Sequence, residues 1–139
     1  MRYVNLHLPK YAWRVKVFMP VTSLNVTEVM AALNRIGISQ TNLRNAYESI
    51  MNEEFNAGLT YSNPRYRESV VVIGVASCVG EFYDTLIHEQ THLAMHIAEA
   101  SGIDVCTEEF AYLVGDIARL LFPHAEPFLC EHCRKKLLP

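Results

Sequence analysis

The chain has 139 residues, half of them hydrophobic, and a formal net charge of −3 at pH 7. That length suits one domain, residues 1–139, able to remove about two-thirds of its unfolded surface from water. A pI near 6.0 argues against a surface that neutralises many phosphates, so no nucleic-acid partner is expected.

The chain opens with a β-hairpin pattern. Val4, Leu6 and Leu8 alternate with polar residues, Pro9-Lys10 turns the chain, and Tyr11, Trp13, Val15, Val17 and Met19 alternate again until Pro20 stops the strand. No apolar run of the kind a signal peptide needs is present here, and no stretch approaches the roughly 18 apolar residues of a membrane span. A cytoplasmic protein without a membrane partner is the expectation. Its four cysteines, Cys78, Cys106, Cys130 and Cys133, then read as thiols or metal ligands rather than a disulfide framework.

Two amphipathic helices follow. The first is expected from about Asn25 to Ile36, with Asn25 and Glu28 at capping-box spacing and Gly37 at the left-handed C-terminal position. The second is expected from about Gln40 to Asn56, with Leu43, Ala46, Tyr47, Ile50 and Met51 as its stripe and Gly58 ending it. After Leu59-Thr-Tyr-Ser62 and a turn-rich segment, a strand from Ser69 to Ala76 is apolar on both faces and therefore central. A long helix from about Glu81 to Ala100 ends at Gly102. A last helix runs from its N-cap Thr107 to about Phe122, stopped by Pro123. Residues 123–139 form a Cys- and His-containing tail, irregular or weakly helical. The predicted fold class is α+β: a small mixed sheet, made of the N-terminal hairpin plus a strand before the long helix, packed on about four helices.

Within the long helix stands Leu86-Ile-His-Glu-Gln-Thr-His-Leu-Ala-Met-His96. Residues four apart share a helix face, so His88 and His92 can offer two imidazole nitrogens to one metal ion, with Glu89 beside them as a general base. A zinc hydrolase site needs a third protein ligand and one open position. Glu108 and Glu109, in the first turn of the next helix, are the candidates, although both also suit a helix N-terminus on dipole grounds alone. His96, one turn beyond His92, reads as a packing or rim residue. The bland alternative for the whole segment is a histidine-rich helix face without metal.

HExxH followed by Glu-x-x-Ala resembles the gluzincin group of zinc metallopeptidases, the thermolysin-like superfamily. The resemblance covers His88 to Tyr112. It implies His88, His92 and Glu108 as zinc ligands, Glu89 as general base and Ala111 as the small residue between the two helices. Glu108 is preferred over Glu109 because Ala111 follows it three places on. In several gluzincins an Asp follows the small residue. Here Tyr112 stands there, a candidate catalytic side chain that orients His88 or stabilises an oxyanion, with core packing as its other reading. Asp84 and Asp116 are substitute partners for a ligating histidine or else solvated helix residues. The implied function is zinc-dependent hydrolysis of peptide bonds, with the active site between the last two long helices. In that superfamily, substrate backbone often pairs with an edge strand, for which Leu59 to Ser62 is the candidate.

The implied partner is a peptide or protein substrate, with a homo-oligomer or protein partner completing the cleft of so short a chain. The alternative is a non-catalytic zinc-binding or interaction module on the same fold. In the tail, Cys130-Glu-His-Cys133 is half of a second, structural zinc site, to be completed by His124, Cys78 or Cys106. Two unrelated thiols, or an adventitious disulfide, are the other reading.

Overall fold

The computed structural model describes residues 1–54 and 56–137. Four strands form one mixed sheet: β1 (Arg2–Leu8), β2 (Trp13–Val21), β3 (Gly58–Asn63) and β4 (Glu68–Gly74), in the spatial order β1-β2-β4-β3. β1 pairs antiparallel with β2, β2 parallel with β4, and β3 antiparallel with β4. Among the described residues five helices complete the α+β fold: α1 (Val26–Arg35), α2 (Gln40–Met51), α3 (Val79–Ser101), α4 (Glu108–Ala125) and α5 (Glu131–Leu137). Among the described residues no helix is long and apolar enough to cross a membrane.

The alternation of β4 divides the core. Val70 and Val72 join Phe18 and the apolar faces of α1 and α2 on one side of the sheet. Val71 and Ile73 join Val15, Val17 and Met19 against α3 and α4 on the other. A strand buried on both faces has no polar row to spare, which is why Val70–Ile73 is continuously apolar. The three layers leave β3 as the sheet edge beside α3.

Several expected boundaries moved. Pro20 does not stop β2; it sits where the register against β4 shifts between Phe18 and Val21, so its missing N–H breaks no ladder bond. Asn25 does not close a box with Glu28. Its Oδ1 instead accepts from the backbone N–H (3.0 Å) and the hydroxyl (3.3 Å) of Thr22, fixing a 3-10 turn ahead of α1. Gly37 does take the left-handed conformation, at φ 78°. α2 ends at Met51 rather than Asn56, because Glu53 turns left-handed and binds the Ser23 amide and hydroxyl. The expected extension reached across Phe55, which lies outside the described residues. Tyr47 and Met51 point outward, and the buried stripe of α2 is Leu43, Ala46 and Ile50. Gly58 opens β3 rather than closing a helix.

Pro123 lies within α4, which continues to Ala125. The carbonyl four residues back, which loses its helical donor, belongs to the exposed Arg119, and burial of Leu121 and Ala125 favours continuing the helix. Of the two readings of the tail, the helical one holds up to residue 137, with a 3-10 turn at Glu126–Phe128 leading to α5; Leu138 and Pro139 lie outside the described residues. Phe128 stacks on Phe82 of α3 with ring centroids 5.0 Å apart. Arg134 of α5 is buried and donates to the carbonyls of Ala76 (2.7 Å) and Ser77 (3.2 Å), just before α3.

Removing the Arg134 guanidinium leaves two carbonyls under α5 without donors. Arg134→Ala is expected to lower the unfolding free energy by about 2–3 kcal/mol, against about 0.5 kcal/mol or less for the exposed Lys135→Ala. Urea denaturation of both variants checks this, and equal losses would contradict it.

Candidate metal centre

α3 is amphipathic in three sectors. Phe82, Leu86, Leu93 and Ile97 enter the main core. His88 and His92 lie on the exposed side, with their Nε2 atoms 3.2 Å apart and their rings edge to face at 4.8 Å. Between these sectors, Glu89 and His96 face the edge strand β3.

The α3-facing row of β3 is Gly58, Thr60 and Ser62, all small, while Leu59 and Tyr61 pack on the opposite side against the α1–α2 cluster. That row accepts the polar side of α3. Glu89 is only 4% exposed. Its Oε2 accepts from the Thr60 hydroxyl at 2.6 Å, and the same hydroxyl is 3.2 Å from the Glu89 carbonyl oxygen. Its Oε1 hangs over Gly58, where an added Cβ would lie 3.0 Å from Oε1, 2.7 Å from Cγ and 2.9 Å from the Val72 carbonyl oxygen. Only glycine leaves that space.

His96, half-buried, completes a chain of polar contacts that runs into the core. Its Nδ1 is 2.7 Å from the Ser62 hydroxyl, Ser62 is 2.7 Å from the Ser69 hydroxyl, and the fully buried Trp13 indole N–H donates to Ser69 at 2.8 Å. Burial lowers the pKa of His96 below the ordinary histidine value, and the neighbouring His92 lowers it further. Its place matches the packing role expected for it.

The remaining expected residues are not gathered with the histidine pair. α4 does return along α3, with Gln90 Nε2 donating to the Val114 carbonyl at 3.3 Å. Its buried stripe, however, is Leu113, Ile117 and Leu121. Glu108 and Ala111 are off that stripe and exposed, so Ala111 is not the small residue between the helices; the buried small residues are Ala94 and Ala98 of α3. Glu109 stands one turn before Leu113, in line with the stripe, but is exposed as well. Tyr112 is 66% exposed, so core packing does not describe it. Asp84 is exposed, and Asp116 pairs with Arg119 at 3.2 Å. Among the described residues no group of three His, Cys, Asp or Glu side chains is placed to hold a metal ion. The structure therefore pairs His88 with His92 and turns Glu89 to β3, and it assembles neither Glu108 with the histidines nor His124, Cys78 or Cys106 with Cys130 and Cys133.

Sequence reasoning missed Gly58, Thr60, Ser62 and Ser69. The signal was present in Gly-Leu-Thr-Tyr-Ser, where small or polar residues alternate with apolar ones at a strand period. Comparison with protein-family models, with curated proteins and with solved structures finds no match.

Gly58→Ala is expected to cost about 1–3 kcal/mol, because either Glu89 or the β3–β4 ladder must shift. Gly115→Ala in α4 meets nothing within 4 Å and should stabilise by about 0.5–1 kcal/mol. Thermal unfolding of the two variants checks the opposite signs.

Proposed function

We propose that the protein is a zinc-dependent hydrolase of peptide bonds, with His88 and His92 as metal ligands and Glu89 as general base. One observation carries the reading. Two nitrogens bound to one tetrahedral zinc at 2.0–2.1 Å stand about 3.3 Å apart, and the Nε2 atoms of His88 and His92 are 3.2 Å apart. The spacing matches that of a shared ion, which would replace the hydrogen bond now joining the two rings, and the exposed side of α3 leaves room for further ligands. A bound zinc ion supplies a Lewis acid for the substrate carbonyl and a water that is nucleophilic at neutral pH.

The chain's own residues have distinct parts in this proposal. Glu89 lies one residue from His88, buried between α3 and β3. Thr60 holds its Oε2 and leaves Oε1 over the Gly58 gap. Turned from β3 towards the histidine pair, the carboxylate takes the proton of the attacking water and returns it to the leaving amine. Glu108 and Glu109 at the head of α4 are the candidate third ligands, and a peptide or protein is the substrate. The reading keeps the gluzincin-like assignment and a cytoplasmic setting as parts of the same proposal.

The second reading, a metal-binding module without turnover, is favoured by one feature: the Glu89 carboxylate is engaged by Thr60, as a core carboxylate would be. Zinc content and peptide cleavage together separate the two. Wild-type protein is expected to purify with about one equivalent of zinc, and His88→Ala and His92→Ala to lose it. Glu108→Ala and Glu109→Ala identify the third ligand by which of them lowers zinc content. Glu89→Gln should keep the metal and cleave a denatured-protein or peptide-library substrate about 10²- to 10⁴-fold more slowly than wild type. Stoichiometric zinc in His88→Ala, or undiminished cleavage by Glu89→Gln, would overturn the assignment. Zinc binding without cleavage by wild type would favour the second reading.

A further inference from the structure

The sheet face turned away from α3 is only partly covered. Phe18, Val70 and Val72 lie under α1 and α2, but no residue of β1 joins that cluster. On β1, Val4, Leu6 and Leu8 enter the main core, so Tyr3, Asn5 and His7 project from the other face and are exposed. Each has a direct cross-strand neighbour on β2: Tyr3 with Phe18, Asn5 with Lys16 and His7 with Arg14. Between this polar floor and α1 lie two adjoining cavities of about 410 Å³ each, both lined by Tyr3, Lys16, Ala32 and Arg35. Either one falls within the roughly 300–1,000 Å³ of small-molecule sites.

The polar groups around the shared wall are unevenly matched. Tyr3 donates its hydroxyl to Asn5 Oδ1 at 2.9 Å, and Arg14 Nη2 donates to Glu68 Oε1 at 2.8 Å, so these two acceptor oxygens are occupied. Lys16 is half-buried, with Nζ 5.6 Å from the centre of the Tyr3 ring. Among the described residues the Lys16 ammonium, the Arg35 guanidinium and the Asn5 amide nitrogen have no hydrogen-bond or ion-pair partner. What is left over is a set of donors, two of them cationic, in a chain whose formal net charge is −3. The second cavity adds an apolar wall from Phe18, Ala31 and Ala32. Glu28 also lines it, without an ion pair to either cation among the described residues.

We propose that this groove binds a small phosphate monoester, with the phosphate at Lys16, Arg35 and Asn5 and the organic group against Phe18, Ala31 and Ala32. A phosphate monoester carries about −1.5 to −2 charge at neutral pH and three acceptor oxygens, which matches two unpaired cations and an amide donor. Arg35 can hold two oxygens through its planar fork, and Lys16 contributes a point charge. A carboxylate offers one charge and two oxygens and leaves a cation unmatched. The apolar wall separates an ester from inorganic phosphate, which has nothing to place there. The site lies on the opposite sheet face from α3, so it does not depend on His88 and His92 binding zinc.

The test titrates phenyl phosphate into the full chain and follows backbone amide shifts in proton–nitrogen NMR spectra. Saturable shifts at Asn5, Lys16 and Arg35 are expected, with inorganic phosphate binding more weakly and phenol not at all. Lys16→Gln and Arg35→Gln should each weaken binding about tenfold, the loss of one charge-assisted hydrogen bond. Arg44→Gln, at an exposed position of α2 outside the groove, should leave it unchanged. Glu28→Gln should tighten it, because a carboxylate no longer repels the phosphate. The spectrum of each variant before titration shows that it is folded. Absence of saturable shifts in wild type, shifts centred on His88 and His92, equal affinity for inorganic phosphate, or equal weakening by Arg44→Gln would overturn the proposal.

Discussion

Burying a carboxylate costs several kcal/mol unless hydrogen bonds replace its water, and Glu89 is 4% exposed. The Thr60 hydroxyl meets that demand by bonding Oε2. This contact ties the middle of α3 to the antiparallel edge strand β3, and the rotation of α3 follows from it. With Glu89 turned to the sheet edge, His88 and His92 must face outward and Leu86 and Leu93 inward. Seven residues on, His96 reaches the same strand through Ser62 and continues by Ser69 to Trp13. Two contacts about two turns apart fix both the rotation and the tilt of the helix.

The edge strand is suited to this by what it lacks. Gly58, Thr60 and Ser62 present no apolar bulk to α3, so Glu89 and His96 can lie against the sheet with hydrogen-bond partners. β4 then carries the apolar load of the sheet on both faces. An apolar residue at position 89 would pack against β3 without the desolvation cost, so packing alone does not require the carboxylate there.

The fold class, the central strand and the long helix were legible because each rests on periodicity: two-sided apolar Val70–Ile73 and the stripe through Phe82, Leu86, Leu93 and Ile97. Ends were less legible. Pro20 and Pro123 both look like stops, yet one falls on a register shift and the other where the lost carbonyl partner is exposed. Sequence order reveals neither circumstance. At the site, helical spacing was enough to place His88 and His92 together on the exposed side of α3. Glu108, Ala111 and Tyr112 came from a resemblance and not from a period, and the buried stripe of α4 at Leu113, Ile117 and Leu121 turns them outward. The partners of Glu89 and His96 are non-local, 29 and 34 residues away, and such pairings need the sheet topology before they can be read.

The central claim is that His88 and His92 grip one ion, and an anomalous-scattering map at the zinc edge, from crystals grown with zinc, tests it most directly. The account predicts a peak about 2.0–2.1 Å from both Nε2 atoms, with Glu89 outside the coordination sphere. A peak confined to Cys130 and Cys133, or none at the histidines while their Nε2 atoms remain 3.2 Å apart, would contradict it.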